Sequence, residues 1–125
     1  MKEIKTDRAP AAIGPYSQAV MCRGDTIYIS GQLPLDPSTG KFAGNDIEIQ
    51  TQQVLRNIQA ILQEAGAEMR NVVKTTVLLK SMTDFQTMNE VYKLFFENLC
   101  PARAAYQVCS LPKDALVEIE AIAVL

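Results

Sequence analysis

The stretch Val117-Glu118-Ile119-Glu120-Ala121-Ile122-Ala123-Val124-Leu125 decides how this chain folds. No Gly or Pro interrupts it and it is rich in apolar and β-branched residues, so it reads as a strand whose side chains alternate between two faces. Apart from two glutamates it is apolar on both parities. A strand of that kind is normally covered on both sides.

Working back from it, a Leu111-Pro112-Lys113-Asp114 turn precedes it, and residues 104–108 form another strand. Before that lies a helix opened by Thr83 and Gln86 as a capping box. Its buried face is Phe85, Met88, Tyr92, Phe95, Phe96 and Leu99, and Pro101 ends it. Residues 72–79 read as a strand, with Val73, Thr75, Val77 and Leu79 on one parity. An earlier helix is capped by Asn45 with Glu48 and closed at Gly66. Val54, Leu55, Ile58, Ile61, Leu62 and Ala65 line its apolar side, and Arg56, Asn57, Gln63 and Glu64 its wet side. Residues 31–44, with two prolines and several glycines, read as loop. Residues 18–22 and 26–30 read as a hairpin turned by Arg23-Gly24-Asp25. A weak strand near residues 3–6 completes the order β-β-β-α-β-α-β-β.

These elements predict one α+β domain over residues 1–125, a mixed sheet of about six strands with two helices packed on one face. Two helices cover one face only. The other, carrying Ile122 and Val124 or Ala121 and Ala123, would be wet in a monomer, so a homo-oligomer is expected.

Composition narrows the function. The chain has 125 residues, 12 Lys plus Arg against 14 Asp plus Glu, a net charge of -2 and no His. Without imidazole, Ser-His-Asp hydrolysis, Cys-His proteolysis and His-ligated zinc are excluded. The charge balance argues against nucleic acid as a partner held by a general basic face. Cys22, Cys100 and Cys109 form no CxxC pair, so no thiol redox motif or zinc knuckle exists and no metal site is expected. They read as buried small hydrophobes in a reducing compartment. The charged start of the chain does not read as a signal peptide and no stretch is long enough to span a bilayer, so a soluble cytoplasmic protein is expected.

Several residues could carry chemistry. Glu118 and Glu120 share one face of an apolar strand, where a partly dry carboxylate could serve as acid or base; a wet, merely solvated pair is the plain alternative. Arg103 opens an apolar strand and could grip a ligand carboxylate through two parallel hydrogen bonds, or pair with Glu118 or Glu120 as a structural ion pair. Antiparallel neighbours joined by a short turn would bring Arg103 and Glu120 together. Ile13-Gly14-Pro15-Tyr16-Ser17 is a bend that presents Tyr16, or simply packs it on its neighbour. Ser30-Gly31-Gln32 ends a strand and could offer amides or a hydroxyl to a ligand.

Five segments carry a resemblance: residues 11–19 (AAIGPYSQA), 30–34 (SGQLP), 73–77 (VKTTV), 101–104 (PARA) and 118–123 (EIEAIA). Over essentially its whole length the chain resembles the RidA/YjgF family of reactive-intermediate deaminases. The resemblance implies a chorismate-mutase-like fold assembled as a homotrimer, with sites in the clefts between subunits. It implies hydrolysis of enamines and imines such as 2-iminobutanoate and 2-iminopropanoate to 2-oxo acids and ammonia, without metal or organic cofactor. By the same resemblance Arg103 would bind the substrate carboxylate and Glu120 would orient or deprotonate water. Tyr16, Ser30, Gly31 and Asn89 would line the cleft. Many bacterial members carry Cys where this chain has Ala105, so a thiol nucleophile has no place there, while a backbone contribution would survive. Two rival functions remain at this level: a non-catalytic sensor of 2-oxo acids, and a ribonuclease or translation inhibitor, which the net charge and the missing His disfavour.

Overall fold

Residues 1–125 are described by a computed structural model. In chain order the elements are β1 (Lys2–Ile4), β2 (Ala19–Met21), β3 (Thr26–Gln32), β4 (Leu35–Asp36), β5 (Lys41–Phe42) and α1 (Ile47–Glu64). Then follow β6 (Val72–Leu79), α2 (Phe85–Lys93), β7 (Ala102–Gln107) and β8 (Val117–Val124). The C-terminal strand β8 is central. It lies antiparallel to both β3 and β6, and β7 joins the far edge of β6 in parallel, giving the order β3-β8-β6-β7. The fold is therefore α+β with a mixed sheet and two helices. No helix is long and apolar enough to cross a membrane.

The sheet has four strands rather than six. The expected hairpin between β2 and β3 does not form: β2 pairs with β1 as a separate ribbon. Arg23-Gly24-Asp25 instead packs on the C-terminus. The Leu125 amide donates to the Asp25 carbonyl at 3.0 Å, and Gly24 sits at φ +141 where a Cβ would collide with the Leu125 carbonyl. A turn tripeptide specifies a reversal, not which strand lies beside which. The segment read as loop carries a small hairpin, β4 with β5.

Parity sorts the sheet into two faces. Val117, Ile119, Ala121 and Ala123 of β8 and Thr75, Val77 and Leu79 of β6 are buried beneath the helices. Val54, Leu55, Ile58 and Leu62 of α1 and Met88 and Tyr92 of α2 close that core. Each fully buried aliphatic side chain contributes about 1.5–3 kcal/mol. Ile61 and Ala65, expected on this apolar face, are exposed instead. The opposite face carries half-buried Glu118, Ile122 and Val124 and exposed Glu120, together with Tyr28 of β3, which is 78% exposed, and neither helix covers it.

Helix ends differ from the sequence reading for local reasons. Asp46, not Asn45, caps α1: it is extended, and its Oδ1 accepts from the Ile49 amide at 2.8 Å. Ser81 caps a short 3-10 turn (Met82–Asp84) that leads into α2. The second helix stops at Lys93, where Leu94, Phe95 and Phe96 donate to carbonyls three residues back and tighten the coil. Proline marks where a helix cannot pass, not where it stops. Asn57, expected on the wet side, donates to the carbonyls of Leu33 and Leu35 and ties the exit of β3 to α1. Nor are the cysteines buried: Cys109 is exposed, Cys22 and Cys100 are half-buried, and all three are free.

Candidate active site

Arg103 lies on β7, the edge of the sheet, and points to the helix side. Its ladder partner is Thr75 of β6, which is buried under α2. On α2, Phe85, Asn89 and Tyr92 fall at i, i+4 and i+7, one face of the helix, and all three meet the guanidinium. Nη1 donates to Asn89 Oδ1 at 2.7 Å, and the guanidinium carbon stands 4.8 Å from the Tyr92 ring centre and 5.6 Å from that of Phe85.

A third ring comes from the N-terminal bend. Pro15 sits between Gly14 and Tyr16 in a three-residue turn, with the Tyr16 amide donating to the Gly14 carbonyl at 2.8 Å. Ser17 anchors the bend on the outer edge of β7, its amide bonded to the Pro101 carbonyl at 3.0 Å and its hydroxyl to the Cys100 carbonyl. Tyr16 is thereby brought to 5.5 Å from the guanidinium. Gly14 borders it too: a Cβ there would touch Nη2 at 3.6 Å.

Arg103 thus has three aromatic neighbours and one amide partner. It makes no ion pair with any carboxylate of its own chain, so the structural ion pair with Glu118 or Glu120 is not formed. Burial lowers its pKa from the ordinary value, while the phenols of Tyr92 and Tyr16 pull the other way. It remains a cation. A half-buried, unpaired guanidinium within aromatic walls is suited to a small carboxylate.

Glu120 is elsewhere. Its ladder partner is Thr76, and consecutive strand residues face opposite sides. With Arg103 paired to Thr75 and Glu120 to Thr76, the two groups project from opposite faces, and β6 lies between their strands. The expected adjacency of the last two strands fails because the β7–β8 connection carries the chain across β6, placing β8 between β3 and β6. The two backbones are two strand spacings apart, about 10 Å. The partly dry setting expected for these glutamates is not built within one chain, since Glu120 is exposed and Glu118 half-buried.

Ser30 and Gly31 do join Glu120. The β3–β8 ladder runs Ile29↔Ala121 and then Gln32↔Ile119, so Ser30 and Gly31 together oppose Glu120 in a bulge. Gly31 lets the Glu118 carboxylate lie against its backbone, and a Cβ there would displace that side chain. Ala105 lies two residues beyond Arg103 on the helix-side parity of β7 and packs against the core. Of the expected site, the fold gathers Arg103, Asn89, Tyr16 and Ala105 on one side, and Glu120, Ser30 and Gly31 on the other.

Phe85, Tyr92 and Thr75 were legible only as core. For Phe85 and Tyr92, their i, i+4, i+7 relation with Asn89 on one helix face was the available signal; Thr75 carried none. A cavity of about 740 Å³ lies between α1 and residues 94–99 and holds none of these residues; its Arg70 is already paired with Glu68 at 3.1 Å. A smaller one of about 420 Å³ touches Gly14 and Tyr16. No three His, Cys, Asp or Glu side chains gather where they could hold a metal ion.

Comparison with known proteins bears on what this arrangement does. The family model described as Endoribonuclease L-PSP matches residues 6–125. A mouse (Mus musculus) protein named 2-iminobutanoate/2-iminopropanoate deaminase is 57% identical over 98% of this chain and 90% of its own length. The crystal structure of RidA from the Antarctic bacterium Psychrobacter sp. PAMC 21119 superposes with a TM-score of 0.79 at 46% identity, covering 100% of both chains. That of E. coli TdcF with bound serine gives 0.78 at 44% identity, covering 100% of this chain and 99% of the other.

Proposed function

The chain belongs to the Endoribonuclease L-PSP family, that of the RidA deaminases, and from that premise we propose that it hydrolyses 2-iminobutanoate and 2-iminopropanoate to the 2-oxo acids and ammonia. The observation that carries this reading is Arg103, held by Asn89 among three rings with no carboxylate of its own chain to neutralise it.

The site is completed between copies of the chain in a homotrimer. Arg103 and Glu120 face away from each other in one subunit, so they share a pocket only when the open face of a second copy approaches the β7 edge of the first. That contact also covers Tyr28, 78% exposed in the single chain, and the half-buried Ile122 and Val124. Arg103 then binds the substrate carboxylate, with Asn89, Tyr16 and Ala105 around it. Glu120 of the neighbouring copy, flanked by Ser30 and Gly31, takes a proton from water as the oxygen attacks the imine carbon. The tetrahedral carbinolamine receives a proton on nitrogen and expels ammonia, leaving the carbonyl. An imine carbon is already electrophilic, so fixing the carboxylate, placing water and moving protons suffice. Three free thiols fit a reducing cytoplasm. The half-buried guanidinium and net charge of -2 suit a small acid better than a polyanion.

The test is ammonia release from freshly generated 2-iminobutanoate. The wild-type protein should accelerate it and Arg103→Ala should not; equal rates with and without protein would overturn the reading. Saturable binding of 2-oxobutanoate without acceleration would identify a sensor instead.

A further inference from the structure

Tyr92 is wholly buried, yet it ends in a phenol. A buried hydroxyl costs free energy unless it is bonded, and phenylalanine would fill the same core space without that cost. Its hydroxyl finds one partner, the Thr75 hydroxyl at 2.7 Å, and Thr75 is itself buried and is the ladder partner of Arg103. The Phe96 ring packs against Tyr92 with centres 4.5 Å apart and a 37° tilt. Of the three rings around Arg103, that of Tyr92 is the nearest. Burial pushes the phenol well above its ordinary pKa, so the ring stays neutral and attracts the guanidinium through its face.

We propose that Tyr92, locked by Thr75, is a positioning residue that sets the plane of the Arg103 guanidinium and so determines how the protein grips a small 2-imino or 2-oxo carboxylate. The proposal rests on the deaminase reading for its ligand and on the side-chain geometry for its mechanism. Asn89 occupies Nη1, the Tyr92 ring underlies the guanidinium, and Nη2, beside Gly14, is left for the ligand. Carboxylate binding is shared by ground and transition states, so disturbing it raises KM and spares kcat.

The experiment compares Tyr92→Leu, Tyr92→Phe, Thr75→Val and the Tyr92→Phe/Thr75→Val pair with wild type. It measures kcat and KM for 2-iminobutanoate, Kd for 2-oxobutanoate, the thermal midpoint, and the ring-current shift of the Arg103 Nε–H by NMR. Tyr92→Leu should raise KM and Kd roughly tenfold with kcat within about twofold, and change the ring-current shift to what Tyr16 and Phe85 alone supply. Tyr92→Phe and Thr75→Val should each raise KM about threefold, and the pair no more than either, because both remove one bond. Ile58→Val, a core change on α1, which supplies none of the groups around Arg103, should lower the thermal midpoint without moving KM. Unchanged KM and Nε–H shift in Tyr92→Leu would overturn the proposal, as would changes that merely follow the thermal midpoint. Should Tyr92→Leu fail to fold, the two single-bond variants decide. Should wild type neither turn over imine nor bind 2-oxobutanoate, the deaminase reading fails, and the Nε–H shift still decides whether Tyr92 holds Arg103.

Discussion

The two faces of the sheet are furnished very differently. On the helix side, Arg103 is held by Asn89 and ringed by Tyr16, Phe85 and Tyr92. On the open side, Glu120 stands exposed beside the Ser30–Gly31 bulge, with apolar Tyr28, Ile122 and Val124 along the same surface. The Arg103 cluster is complete within the chain, whereas the Glu120 cluster lies on the face that neither helix covers. Organising a cation in low dielectric takes many fixed partners, whereas a carboxylate on a flat strand gains its dry setting only when another surface arrives.

The sharpest way to break this comparison is to disable each half separately. Arg103→Ala should lower kcat/KM about 10²–10³-fold, by analogy with truncating one partner of a buried charged pair. Glu120→Ala should lower kcat by about 10²-fold with a smaller change in KM. Unfolding and co-refolding the two variants at equal amounts should recover about one quarter of wild-type activity, because random assembly pairs an intact Arg103 with an intact Glu120 at that frequency. No recovery would mean that both groups act within one chain.

Next in size is the open face itself. Ile122→Glu should dissociate the assembly while leaving the helix-side core folded, so activity should fall by more than tenfold at micromolar protein and become concentration-dependent. Light scattering read beside circular dichroism checks both halves of that statement. On the furnished side, Gly14→Val should crowd Nη2, raising KM roughly fivefold and leaving kcat unchanged. The smallest effect concerns Cys100, whose thiol burial pushes up, with Arg103 opposing. Alkylation followed by mass spectrometry at pH 8 should modify exposed Cys109 first. Cys100 should lag, and the gap should narrow as pH rises, because a raised thiol pKa delays thiolate formation.

Much of the fold was legible residue by residue. The strand over 72–79 has its expected bounds, with a bulge at its start that puts Val72 rather than Val73 in the core; β8 differs from expectation by one residue, and α1 is displaced by one at its cap. In the site region, Arg103, Asn89 and Tyr16, grouped by the family resemblance, meet side by side, and Ser30 and Gly31 lie beside Glu120. Less legible were features where a distant segment decides. The second helix ends early because the chain must reverse to lay β7 beside β6. Asn57 turns inward because two carbonyls after β3 need donors. Tyr92 reads as plain core until Thr75 and Arg103 are set beside it.

Period and composition alone determined the element types, the apolar stripes, the absence of imidazole chemistry and the surplus of apolar surface on the last strand. They do so because side-chain alternation and helical spacing are properties of a few consecutive residues. Only the tertiary structure decided that β6 separates β7 from β8, and hence that Arg103 and Glu120 look away from each other. A strand carries its own two faces in its sequence, but its neighbours are chosen by how the whole chain packs, and the single-residue step from Thr75 to Thr76 is what turns two adjacent motifs to opposite faces of the sheet.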